Sequence, residues 1–222
     1  MRTFTVVDVP QRSQEWHQAR CGRLTGSRAG DMLATIKSGE AAARRDLRMQ
    51  LVCERLTGFP QEDGYVNAAM QRGIDLESTA LAAYEAITGT LALTTGFLSH
   101  ASLLAGCSLD GHVGDYDTVV SLKCPKSATH VRYLRDGVMP SEHRPQMLHE
   151  LWISGAKFYD FLSFDDRMPE GLQTFWVRVG RNDEQVAEYE RKALAFLAEV
   201  DTEMQAIRTL ANLKAQLKAA VA

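Results

Sequence analysis

Apolar residues change period several times along this 222-residue chain, and the order of those changes restricts the fold more than any other feature. Residues 12–20, 39–56 and 67–87 carry apolar positions at helical spacing, among them Leu47, Leu51 and Leu56, then Ile74, Leu81 and Tyr84. A Gly22 to Gly26 turn separates the short first helix from a second one beginning near Ser27, whose hydroxyl is placed to cap it. Gly58-Phe59-Pro60 ends the long helix, residues 60–66 form a loop, and Gly89 closes the next helix. Three β-like runs follow at 90–99, 103–109 and 117–124, arranged as a meander with a polar loop from Gly111 to Tyr116. Helices at 126–135 and 141–154, strands at 157–164 and 173–180, and a long helix from about 183 complete the chain. This order predicts an α/β fold in which a mixed central sheet is flanked by helices.

A mass of 24.6 kDa suits one domain of this kind and would cramp two. Hydrophobic residues at 45% and charged residues at 24% exclude disordered and fibrous classes. No apolar run approaches the ~18 residues that span a bilayer, and MRTFTVVDVPQRS lacks the apolar centre of a signal peptide, so a cytoplasmic protein with no membrane partner is expected. Cys21, Cys53, Cys107 and Cys124 are scattered without a CxxC pair, which argues for reduced structural thiols rather than a zinc site or disulfide framework. The net charge of −3 and pI near 6.1 weigh against non-specific coating of nucleic acid. Cations still cluster at Arg20, Arg23 and Arg28 and at Arg44, Arg45 and Arg48, although such clusters more often mark solvated helix faces.

The chemically informative stretch is Ser108-Leu109-Asp110-Gly111 followed by Val119-Val120-Ser121-Leu122-Lys123-Cys124-Pro125. Two strands joined by a turn bring Asp110 and Lys123 together, and alternation puts Ser121 and Lys123 on one face with the Leu122 carbonyl between them. A phosphodiester-cleaving site needs such groups, because Mg²⁺ prefers hard oxygen ligands at about 2.1 Å and a nearby lysine orients the attacking water. Taken alone, one Asp and one Lys at this spacing are a weak signal that more often marks a structural pair.

Further strings in the same order give the pair context. Trp16-His17-Gln18-Ala19-Arg20 and Thr25-Gly26-Ser27 precede Gly73-Ile74-Asp75-Leu76-Glu77, then the two strings above, then Gln146 six residues before Trp152. From Trp16 to about Trp152 the chain resembles lambda exonuclease and the related YqaJ-type viral recombinases, which belong to the PD-(D/E)XK nuclease class. The resemblance implies a restriction-endonuclease-like core and a toroidal homotrimer that threads duplex DNA. It also implies Mg²⁺-dependent degradation of one strand from its 5′ end, leaving 3′ tails for recombination, with Mn²⁺ as a substitute ion and a single-strand annealing recombinase as partner. Residues 1–222 would then be one nuclease domain: N-terminal helices and a 5′-phosphate pocket at 1–66, a catalytic core at 67–180 and a C-terminal helix at 181–222.

By the same resemblance Asp110 is the central metal ligand, joined by Glu77 and the Leu122 carbonyl, while Lys123 positions the nucleophilic water and Gln146 touches the same centre. Arg20 clamps the terminal 5′ phosphate, helped by the Ser27 and Ser108 hydroxyls, since a guanidinium fork matches phosphate oxygens. Met70 falls where the family places an apolar wedge between the last base pairs, although a core methionine fits the position equally well; Trp16 suits the core better than the phosphate pocket. His100 stands at a position that is acidic in the family and is given no metal role.

One residue departs from the pattern. Ser121 stands where the family has a metal-binding glutamate, and a hydroxyl is a much poorer Mg²⁺ ligand than a carboxylate. Asp117, four residues along the strand, is roughly 13 Å away, and Asp115 would have to fold back. An engineered variant, an active enzyme using water or Glu77 in the vacated place, and an inactive end-binding module all remain open, as does an endonuclease on the same fold. On sequence grounds metal binding is weakened while end binding survives, and Ser121→Glu should raise magnesium-dependent digestion of 5′-phosphorylated duplex.

Overall fold

The computed structural model of the chain describes residues 2–61 and 67–221. In order, its elements are β1 (Phe4–Val7), α1 (Gln14–Arg20), β2 (Leu24–Thr25), α2 (Ala29–Met32), α3 (Ala42–Thr57), α4 (Ala68–Thr88), β3 (Phe97–His100), β4 (Ala105–Ser108), β5 (Gly111–Val113), β6 (Thr118–Lys123), α5 (Ser127–Asp136), α6 (Arg144–Ser154), β7 (Phe158–Phe164), β8 (Thr174–Gly180) and α7 (Asp183–Val221). Single 3₁₀ turns lie at Gly26–Arg28 and Ser141–His143.

Local chemistry sets the helix limits. Ser13 and Asn67 side chains accept the Trp16 and Met70 backbone N–H groups and so begin α1 and α4. Left-handed glycines at 58, 89, 137 and 155 end α3, α4, α5 and α6. Ser27 does not cap the second helix, because a 3₁₀ turn runs through it and α2 starts after Arg28 without a side-chain cap. Most of the loop expected at 60–66 lies outside the described residues.

The strands divide into two mixed sheets, ordered β1-β3-β4-β2 and β5-β6-β7-β8. The expected three-strand meander is therefore absent: β3 and β4 pair with each other, whereas β6 lies in the second sheet between β5 and β7. The polar stretch after Asp110 is itself partly strand, since Gly111–Val113 pairs with β6 and buries Gly111 and His112. Two strands lacked a sequence signal long enough to read. β1 has only Phe4 buried, and β2 is two residues long.

Alternation along the second sheet directs its two faces to different partners. Val119, Tyr159 and Phe161 join the main core with α3, α6 and α7, while Val120, Leu122, Leu162 and Phe164 pack with Ala80 and Tyr84 of α4. Buried ionic contacts fasten α4 in place. The Tyr84 hydroxyl donates to Asp160 at 2.6 Å, Arg178 makes a two-pronged pair with the same carboxylate, and Arg72 reaches Asp165 at 3.0 Å.

His149 on α6 ties β4 to α7. Its Nε2–H donates to the Gly106 carbonyl at 2.9 Å, and its Nδ1 accepts from the Tyr189 hydroxyl at 2.8 Å, which defines a neutral tautomer. Glycine is required at 106 by the sheet itself, because a Cβ there would stand 2.3 Å from the Phe97 ring and 2.4 Å from the Leu98 carbonyl oxygen on β3. Burial holds the imidazole down at about 4. A folded-state value below the unfolded one stabilises the fold above the unfolded pKa, and that stability is lost as pH falls through the folded value. Urea unfolding should therefore show a loss of about 3 kcal/mol attributable to this residue between pH 6.5 and pH 4, read as the difference in pH dependence between the wild type and His149→Gln.

Candidate active site

Because Gly111 pairs with Val120, the preceding Asp110 arrives opposite Ser121 just before β5 begins. Its Oδ2 accepts the Leu122 backbone N–H at 2.7 Å, and lies 3.5 Å from Ser121 Oγ and 3.8 Å from Lys123 Nζ. In an extended strand a residue's N–H and C=O point to the same edge, so the Leu122 carbonyl faces this edge as well. Asp110 and Lys123 both keep about a quarter of their side chains exposed.

These groups open into a cleft of about 550 Å³ that is also lined by Glu77, Met70, Arg12 and His143. Glu77 projects from α4 and is ion-paired with Arg12. Met70 is 52% exposed on the first turn of α4, which excludes the core reading and puts its thioether at the rim. Arg12 and His143 carried no motif in the sequence. Arg12 adopts φ 70°, a left-handed conformation unusual for a side chain of its size, and it sits where one cation meets the carboxylate from α4. Burial, followed by the Lys123 charge, lowers His143 to about 4, so it is neutral at physiological pH.

A second group of residues adjoins the first through Ser108, two residues before Asp110. The Trp16 indole N–H donates to Ser108 Oγ at 2.8 Å, the Arg20 guanidinium lies 4.1 Å over the Trp16 ring, and Arg20 reaches Ser27 Oγ at 3.4 Å. Trp16 is half-buried in this stack rather than part of the core expected from its size. His17, Arg20, Arg23 and Arg28 line one small recess beside it. The other arginine cluster is structural: Arg44 and Arg48 bridge Glu40 and Glu199 to hold α3 against α7, and Arg45 pairs with its neighbour Asp46 on the surface.

Gln146 donates to Glu150 Oε1 at 2.7 Å, one helical turn further along α6. Glu150 is 2% exposed and is the residue that sequence reasoning missed; its only signal was the i, i+4 spacing from Gln146. Burial raises its carboxyl to about 7 against the pull of Lys123, with Asp110 raising it further. Asp117 and Asp115 take no part, being paired with Lys157 and Arg2.

Among the described residues no three His, Cys, Asp or Glu side chains by themselves form a metal cluster. The donors at the cleft are oxygens, however: the Asp110 carboxylate and the Leu122 carbonyl on one side and Glu77 on the other. Mg²⁺ binds through one or two carboxylates and keeps several waters, so this donor set fits it.

Fold and site together define an α/β protein of the restriction-endonuclease-like type, with an aspartate at a strand end facing a lysine on the next strand. Residues 15–157 match the YqaJ-like viral recombinase domain, and the chain belongs to that family. It is similar to an alkaline exonuclease from Laribacter hongkongensis, 37% identical, with a TM-score of 0.82 over 90% of this chain and 100% of that one. That exonuclease is also known in complex with dAMP. A phage-related exonuclease from Haemophilus somnus 129PT shares the fold at 14% identity and a TM-score of 0.62, over 83% of this chain and 96% of that one. No curated protein matches by sequence. No helix among the described residues is long and apolar enough to cross a membrane.

The Trp16 stack generates a direct test. Trp16→Phe keeps a ring under Arg20 but deletes the donor to Ser108, and should cost about 1 kcal/mol in urea denaturation. Trp16→Leu should cost about 0.5–1 kcal/mol more, because the cation–π contact is lost as well.

Proposed function

We propose that this protein is a magnesium-dependent nuclease that degrades one strand of linear duplex DNA from a 5′ end and leaves 3′ single-stranded tails for recombination. The observation that carries this reading is the adjacency of two groups: the Asp110, Leu122, Lys123 and Glu77 cleft, and the cluster of Trp16, Arg20, Ser27 and Ser108 that adjoins it through Ser108. The first suits cleavage of a phosphodiester and the second suits retention of a strand terminus. Acting as a homotrimer in the cytoplasm with a single-strand annealing recombinase belongs to the same proposal, as does Mn²⁺ replacing Mg²⁺.

When bound, a divalent cation supplies Lewis-acid stabilisation of the charge that develops on phosphate. The chain's own residues do the rest. Lys123, 3.8 Å from Asp110, orients the attacking water through its ammonium donors and opposes the growing negative charge. Arg20 offers a fork of N–H donors to a terminal phosphate, held in orientation from below by the Trp16 ring, with the Ser27 and Ser108 hydroxyls beside it. Met70 presents an exposed apolar side chain at the rim, where it can lie against an unstacked base.

Digestion of end-labelled duplex tests the scheme. Linear DNA with a 5′ phosphate should be consumed in Mg²⁺ and spared in EDTA, and Asp110→Asn and Lys123→Met should each slow it by about 100-fold or more. Arg20→Ala should erase the advantage of a 5′ phosphate over a 5′ hydroxyl, worth about tenfold or more in kcat/KM. Covalently closed circles cut as fast as linear duplex would make the protein an endonuclease, and binding of ends without cleavage in any divalent metal would make it an end-binding module.

A further inference from the structure

Ser121 leaves β6 without the carboxylate that the family resemblance implies there, while α6 packs a buried carboxylate, Glu150, against the same sheet. We infer that Glu150 of α6 supplies the metal-facing carboxylate that Ser121 lacks, so that the cation is held between the Asp110 edge of the sheet and the helix packed on its face. This rests on the nuclease reading above and assigns a further ligand to that site.

Strand alternation carries the first part of the argument. Leu122 points to α4 with Val120, so Ser121 and Lys123 point the other way, to the face that Val119 shares with α6. Tyr159 is opposite Val119 in the parallel register and projects to that same face. Glu150 comes down onto this face from the helix, and its side chain is almost wholly enclosed.

The surroundings of Glu150 carry the second part. Gly26 comes so close that an added Cβ would sit 3.3 Å from Oε1, and Gln146 binds the same oxygen at 2.7 Å, so that side of the carboxylate is closed. Beyond it lie Lys123 and Asp110, the two charged groups it feels most strongly. The Tyr159 hydroxyl, fully buried beside Ser121 and Glu150, makes no hydrogen bond of normal geometry among the described residues. A core that had merely lost a glutamate from position 121 would be expected to close over the gap with apolar groups. Here a small hydroxyl, an unsatisfied phenol and an enclosed carboxylate stand there instead, a set of oxygens that suits a hard cation and its waters.

Calorimetric titration of the full-length protein with Mn²⁺, in the absence of DNA, tests the assignment. Glu150→Gln should weaken Mn²⁺ binding at least tenfold, as Asp110→Asn does, while the melting temperature without metal is maintained. The exchange variant Ser121→Glu with Glu150→Gln should regain most of the affinity. Ser121→Glu alone should give no gain, contrary to the expectation from sequence, because a carboxylate already serves the position. Wild-type Mn²⁺ affinity in Glu150→Gln would overturn the inference. If that variant folds poorly, Glu150→Met, of similar length but without a carboxylate, takes its place, and unchanged affinity there is equally decisive. The two readings fail separately. Metal binding that depends on Asp110 and Glu150 without any cleavage would sink the nuclease proposal alone, whereas metal-dependent cleavage unaffected by Glu150→Gln would sink this assignment alone.

Discussion

The hydrogen bond from the Leu122 backbone N–H to the Asp110 carboxylate is the contact on which the site depends. It locks the turn after β4 onto the exposed edge of β6, at the one point where β5 no longer covers that edge. Without it the carboxylate would be free to rotate towards solvent, and the 3.8 Å approach of Lys123 would lose its counter-charge. A backbone donor suits this task because strand pairing fixes its position. A side-chain donor would have to be held in turn by something else.

The rest of the architecture places side chains around that edge. α4 lies across the outer face of the sheet, anchored by the buried Asp160 and Asp165 carboxylates, and so presents Glu77 and Met70 to the cleft at a set distance. α6 lies on the inner face with His149 bound to Gly106, which fixes the rotation of the helix and hence where Gln146 and Glu150 are aimed. Buried ionic groups of this kind add little net stability, since desolvation offsets most of the attraction. Their effect here is positional, holding one helix on each side of β6.

Much of this was legible in the residues. Helix limits followed from Asn67, Gly58 and Gly89, and the strings around Asp110 and Lys123 carried the family, because both depend on local chemistry that one segment contains. The division into two sheets was not legible. β1 finds its partner some ninety residues away, and a short strand with one buried residue has no periodicity to detect. Arg12 was missed because its importance lies in a backbone twist and a distant partner on α4, neither of which leaves a pattern in the sequence. Glu150 was missed for a related reason: in Gln-Met-Leu-His-Glu it looks like any helical glutamate, and only packing reveals that it has no access to water. The arginine clusters show the converse. Both looked alike in sequence, yet one surrounds a recess and the other clamps α3 to α7.

The parallel pairing of β6 with β7 has a consequence for how the molecule comes into being. Such pairing needs a crossover, here α5 and α6, so β6 gains its central neighbour only after more than two-thirds of the polypeptide exists. Contacts of that sequence separation are slow to form, because loop closure must precede any gain from pairing. A chain that has been synthesised only as far as Lys123 can pair β5 with β6, but it still lacks β7, β8 and the α6 helix that carries Gln146 and Glu150, so the surroundings of the aspartate and lysine are completed late.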